Sequence, residues 1–144
     1  MRPPLVYLTS IVSGLVAHAV LPLALVPMQI PRAVGAAVVV VAVALFALSV
    51  RAFRAADTPI PGNLPTRRIV RSGPYRVSRN PIYLAFSLLQ LGIALLLNSL
   101  WLVLTLLVAM ALMAFVVVPR EERYLEARLP AEYLPYKKEV RRWL

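Results

Sequence analysis

The chain contains no cysteine. That excludes disulfides, thiolate metal sites, cysteine nucleophiles and any prenyl or palmitoyl anchor on this chain. Glycine is scarce, five in 144 residues, and none stands at the G-x-G-x-x-G spacing of a dinucleotide loop, so a soluble Rossmann cofactor site is excluded. The single histidine, His18, sits mid-way through an apolar stretch and reads as a polar contact between helices. No Ser-His-Asp arrangement can be built on it, and no metal site is expected. Acidic residues number six against 16 Lys and Arg, a formal net charge of +10. Charged residues make up 15% and hydrophobic ones 60%; a soluble domain averages about 25% and about 45–50%. Neither a water-soluble globule nor a disordered chain fits that balance. The length allows one domain, 1–144.

The charges that do exist are segregated. Residues 3–31, 33–50 and 80–119 contain no Asp, Glu, Lys or Arg. A bilayer core of about 30 Å needs roughly 20 apolar residues per helix, so the first two runs suit one crossing each. The third would be about 60 Å long as a single helix, twice the bilayer. Its only polar break is Asn98-Ser99, where a tight hairpin is expected. The fold class is therefore all-α: an integral membrane protein with four transmembrane helices, at 4–27, 33–53, 80–97 and 100–118. A loop over 54–79 and a tail over 119–144 complete the chain. The start, with Arg2 and Ala17-His18-Ala19, has the outline of a signal peptide. Hydrophobicity continues through Val26, however, so an uncleaved helix is expected, kinked or ended early by Pro22 and Pro27.

An even number of crossings puts the N-terminus, the 54–79 loop and the tail on one side, with every positive residue except Arg32. The positive-inside rule makes that side the cytoplasm. A multi-pass protein of the prokaryotic inner-membrane kind is expected, with both termini cytoplasmic. The basic excess, Arg142 at the chain end included, then reports orientation and contact with the lipid bilayer. No nucleic-acid partner is expected.

The 54–79 loop is long for so small a protein. Its 57–65 stretch, rich in proline, glycine and asparagine, cannot be a regular helix. Embedded Ile69, Val70, Tyr75 and Val77 favour an ordered loop beside the membrane. In the tail, Leu125, Leu129, Tyr133, Tyr136, Val140 and Trp143 recur at spacings of one helical face, broken at Pro130, with Pro135 a second candidate break. That pattern suits an interfacial helix with Trp143 as headgroup anchor.

Two stretches carry a more specific signal. They are Ser72-Gly73-Pro74-Tyr75-Arg76-Val77-Ser78-Arg79-Asn80-Pro81-Ile82-Tyr83-Leu84 and Glu121-Glu122-Arg123-Tyr124-Leu125, the latter followed by Tyr133, Tyr136 and Arg141-Arg142. Their order and spacing around an apolar hairpin resemble the isoprenylcysteine carboxyl methyltransferase family, itself similar to the membrane phospholipid methyltransferases. The family pattern is GPYR, then R-H-P-x-Y, a hydrophobic hairpin, E-E-x-x-L and Y-x-x-Y with a basic end. The resemblance covers about 57–144. It implies an integral membrane enzyme that uses S-adenosylmethionine, releases S-adenosylhomocysteine and methylates a lipophilic small-molecule or prenyl-type acceptor arriving from the bilayer.

By motif, the implied cofactor-binding residues are Gly73, Pro74, Tyr75, Asn80, Pro81, Tyr83, Glu121, Glu122 and Tyr136. Arg79 and Glu122 are the implied catalytic residues. The motif histidine is Asn80 here, which cannot titrate near neutrality. An activated sulfonium donor asks mainly for in-line positioning and exclusion of water, so a chain with few acidic groups can serve. Arg79 suits a carboxylate, from cofactor or acceptor, held in bidentate fashion; it also suits a plain positive anchor. Glu121 and Glu122 suit the cofactor's amino or ribose groups, or salt bridges to Arg79 or Arg76. A carboxylate acceptor needs no base, whereas an amine acceptor must first lose a proton. Carboxylate O-methylation, phospholipid or amine N-methylation, and a non-catalytic scaffold with a degenerate site are the three functional alternatives.

Overall fold

The computed structural model describes residues 3–28, 32–59 and 66–144. Arg2 and the 60–65 part of the turn-rich loop lie outside the described residues. All regular structure in them is helical: α1 Pro3–Val20, α2 Arg32–Ala55, a 3-10 turn Gly73–Arg76, α3 Pro81–Leu96, α4 Leu100–Leu112, α5 Val118–Arg128 and α6 Pro130–Glu139. A wide π turn, Met113–Val117, joins α4 to α5 without a break.

Three helices are long and apolar enough to cross a membrane: α1, α2 and the continuous Leu100–Arg128 rod. Helix α3 is equally apolar but has 16 residues, about 24 Å against a core of about 30 Å. Many large apolar side chains on these helices point outward, among them Val16, Val40, Val43, Leu107, Val108 and Phe115. Lipid is the solvent that tolerates so much exposed hydrocarbon.

The helices pack in the order α2, α3, α4, α1. Helices α2 and α3 approach through Gly35 and Gly92. A Cβ on Gly92 would lie 2.7 Å from Val39 Cγ2 and 3.0 Å from Val39 N, so the backbones are nearly in contact. On the other side, fully buried Gln90 staples α3 to α1 and α4. Its Nε2 shares two hydrogens among three acceptors, Ser10 Oγ at 2.8 Å, Thr105 Oγ1 at 3.1 Å and the Leu102 carbonyl at 3.1 Å. In an apolar medium such groups have few other partners.

The first helix is shorter than the 4–27 expectation and ends at Val20. Pro22 and Pro27 cannot donate backbone hydrogen bonds, and the hairpin between α3 and α4 satisfies the released segment instead. Leu25 N donates to Asn98 O at 3.0 Å, and Leu100 N to Leu23 O at 3.0 Å. Asn98 Oδ1 accepts from Leu25 N and Val26 N at 3.2 and 3.1 Å, and Trp101 Nε1 donates to Leu21 O at 2.7 Å. Asn98 itself holds φ 45°, the left-handed turn conformation that asparagine tolerates. The hairpin expected at Asn98-Ser99 is present, with Ser99 capping α4.

The fourth helix does not stop at 118 but runs on as α5. The tail breaks at Leu129-Pro130, and Pro135 sits inside α6 without ending it.

Candidate functional site

Helix α2 ends where Asp57 takes φ 49°. Buried Thr58 then accepts from Arg67 N and Arg68 N through its hydroxyl, at 3.1 and 3.3 Å, and so draws the loop back. Gly73 follows at φ +58°, and the turn it opens swings Tyr75 inward, edge-on against Phe53 at a ring separation of 5.1 Å. A Cβ at position 73 would meet only Ala52, at 3.8 Å, so the obstacle to substitution is the dihedral angle and not space. Gly73→Ala is expected to lower stability by about 1–2 kcal/mol, read as a lower melting temperature in detergent with expression unchanged.

Pro81 opens α3 from a fully buried position, where its missing N–H is not needed. Arg79 and Asn80 thereby stand at the mouth of α3, with Tyr83 one turn inside. Facing them is the start of α5, and the π turn decides which residues it presents. Leu102, Leu106, Ala109 and Met113 are buried along α4 and at the start of the turn. Continued at about 3.6 residues per turn, that face would next carry Arg120 and Tyr124. The wide turn adds a residue, and Val118, Glu121, Glu122 and Leu125 point inward instead.

These elements surround a cavity of about 180 Å³. Of the sequence-predicted residues, Tyr75, Arg79, Asn80, Tyr83, Glu121, Glu122 and Tyr136 line it. Gly73, Pro74 and Pro81 do not. The first two form the turn that places Tyr75, and Pro81 is packed beneath the helix start, so their contribution runs through the backbone.

The polar end is a charge network. Arg79 Nη1 pairs with Glu122 Oε1 at 2.9 Å and donates to Tyr133 Oη at 3.0 Å. Arg142 grips the same carboxylate from the other side, Nε to Oε1 at 3.0 Å and Nη2 to Oε2 at 2.7 Å. These hydrogen bonds to Glu122 push the Arg142 pKa up. The ion pair expected for Glu122 is thus with Arg79 and not Arg76. Arg142, read from the sequence as an orientation charge, is part of the network. The side chains of Arg79 and Glu122 are only 9% and 7% exposed. Among the described residues Arg79 Nε is buried without a hydrogen-bond partner. Next to the pair, Tyr83 Oη donates to Glu121 Oε2 at 2.7 Å.

The tail closes this end. Tyr136 Oη donates to the Tyr75 carbonyl at 2.8 Å, and the Arg71 guanidinium lies over the Tyr136 ring. Ile69 N donates to Glu132 Oε2 at 3.0 Å, and Arg71 also donates to the Glu132 carbonyl. The apolar face of the tail therefore covers the loop, not a lipid surface. Trp143 packs half-buried against the core. Burial raises the pKa values of Tyr75, Tyr133 and Tyr136, which keeps their hydroxyls protonated.

The far end is aromatic. Phe46 and Phe86 sit 5.5 Å apart by ring centroids, and Phe86 is the same distance from Tyr7. Phe86 lies about 7.5 Å along α3 from its start. Phe46 is 38% exposed on the outer surface of α2, so the cavity reaches the lipid-facing side there. Phe46, Phe53 and Phe86 were not legible as site residues, being apolar side chains within apolar runs. Tyr133 carried a signal in its spacing from Tyr136.

The family model for phospholipid methyltransferase matches residues 30–131. The chain belongs to the phospholipid methyltransferase family. It is accordingly an integral membrane methyltransferase. The matched region takes in Arg79, Tyr83, Glu121 and Glu122 but ends before Tyr133, Tyr136 and Arg142. No curated protein and no solved structure matches the chain.

Proposed function

We propose that the protein uses S-adenosylmethionine to methylate a lipophilic carboxylate that reaches the site from within the bilayer. It would cross the membrane four times, α3 being the short crossing, with the loop, the tail and both termini in the cytoplasm. The observation that carries the reading is Arg79. Its guanidinium is held by Glu122 and Tyr133, its Nε is buried without a partner, and the residue lines the cavity. A buried donor on a cation is matched best by an anionic oxygen.

The residues present suit the cofactor. Glu121 and Glu122 can accept from an amino group or ribose hydroxyls. Tyr75 and Tyr136 offer flat faces beside them for a purine. When bound, S-adenosylmethionine supplies a methyl group already activated on a sulfonium sulfur. The protein's share is then geometric: Arg79 orients the acceptor carboxylate, and the Phe46–Phe86 slot receives its apolar part. Tyr75, Tyr83 and Tyr136 keep water out. A carboxylate nucleophile needs no base, and Asn80 supplies none.

One observation favours a second reading, an amine lipid as acceptor. Glu121 lines the cavity with Tyr83 as its hydrogen-bond partner, and a carboxylate so placed can hold an ammonium group and take its proton. Membranes containing the protein, given methyl-labelled donor, should yield a lipid-soluble product. Release of that label as methanol in alkali is expected for an ester; alkali-stable label would establish N-methylation instead. In detergent, S-adenosylhomocysteine is expected to raise the melting temperature, and a flat response would leave only a non-catalytic scaffold.

A further inference from the structure

The last residues of the chain run beside the start of α3 as a strap. Ser78 and Arg141 form a parallel bridge, with Arg79 N donating to Arg141 O at 3.0 Å. Asn80 Nδ2 donates to the Arg142 carbonyl at 2.9 Å. The backbone on both sides thus fixes where the Arg142 side chain begins, and its guanidinium ends on Glu122.

Glu122 is the shared partner of both arginines. Oε1 accepts from Arg79 Nη1 and Arg142 Nε, and Oε2 accepts from Arg142 Nη2. Without Arg142, Oε2 would be a buried carboxylate oxygen with no donor. The nearest cation left to it is Arg79. The preferred geometry of such a pair is the bidentate fork, which would turn the Arg79 guanidinium onto Glu122 and take its remaining donors out of the cavity. We infer that Arg142 is a positioning residue: by occupying one side of Glu122 it holds that carboxylate in place for the cofactor and leaves the remaining donors of Arg79 to the acceptor. This rests on the reading of the cavity as the cofactor and acceptor site.

The pair is open to a direct test, because Arg142 is 39% exposed while Glu122 is 7% exposed. In Arg142→Ala the vacated place can be reached from water by a free guanidinium ion. The full chain in detergent is compared as wild type, Arg142→Ala, Arg142→Lys and the exposed-site control Lys138→Ala. S-adenosylhomocysteine affinity is measured by calorimetry and methyl transfer by label, each with and without millimolar guanidinium chloride. Wild type and Lys138→Ala should bind alike. Arg142→Ala should bind about tenfold or more weakly, as expected for loss of charged hydrogen bonds, and guanidinium should restore much of the loss. Arg142→Lys, a point charge without the fork, should fall between.

Arg142→Ala with wild-type affinity, or with a lower melting temperature alone and no rescue, overturns the inference. So does Arg142→Lys at wild-type affinity, which keeps the inference testable if the alanine variant does not fold. Failure of the wild type itself to bind S-adenosylhomocysteine overturns the cofactor reading and this inference with it.

Discussion

Glu122→Ala is expected to abolish S-adenosylhomocysteine binding and to destabilise the protein by about 3–5 kcal/mol. The reason is the position of Arg79. Its side chain is 9% exposed and its anionic partner is Glu122. Removing the carboxylate leaves a buried cation with only the Tyr133 hydroxyl to face it. Arg142 is spared the same fate because more than a third of its side chain already meets solvent. Glu122→Gln separates charge from shape: it keeps one acceptor oxygen and the packing but not the negative charge. It should melt between wild type and the alanine variant and still fail to bind. Thermal denaturation in detergent and calorimetric titration check both parts. An alanine variant as stable as wild type would mean that Arg79 is effectively hydrated.

The second large effect is expected far from any charge. Gly92→Leu should prevent α2 and α3 from pairing and leave little folded protein, and even Gly92→Ala should lose about 1–3 kcal/mol. A Cβ at 92 would overlap Val39 Cγ2 at 2.7 Å and press on Val39 N at 3.0 Å and Gly35 O at 3.2 Å. Two of these are backbone atoms, which cannot rotate away. The functional consequence follows from what each helix carries. Helix α2 brings Phe46 and Phe53 to the cavity, and α3 brings Ile82, Tyr83 and Phe86. Moving the helices apart separates the two walls of the slot, so the surviving fraction of Gly92→Ala should bind ligand more weakly as well as melt earlier. Ala36→Val, on the exposed side of α2, is the control and should match wild type in both measurements.

Several parts of this structure were legible in the chain because their causes are local. Helices α1 to α4 are built on the charge-free runs 3–31, 33–50 and 80–119, and the single polar break at Asn98-Ser99 became the hairpin. Tyr75, Arg79, Tyr83, Glu121 and Glu122, picked out by their motifs, line one cavity although they come from a loop, α3 and α5. The early end of α1 was legible in Pro22 and Pro27, but not its place at Val20 or the hydrogen bonds with Asn98 and Trp101, more than seventy positions downstream, that hold the released segment. Phe46, Phe53 and Phe86 stayed invisible because an apolar residue in an apolar run looks the same whether it faces lipid, a neighbour or a cavity.

The sequence by itself determined that this chain is a helical membrane protein with most of its charge in the loop after α2 and in the tail. The bilayer acts on charge and apolar length, and both are countable along the chain. The tertiary structure alone decided which side chains meet. The π turn at Met113–Val117 turned Glu121 and Glu122 inward where a regular helix would have shown Arg120 and Tyr124. The strap brought Arg142 onto Glu122 from twenty residues away. The glycine contacts of α2 and α3 set the two walls facing each other. Each depends on helix phase and on how closely backbones approach, and a composition or a motif records neither.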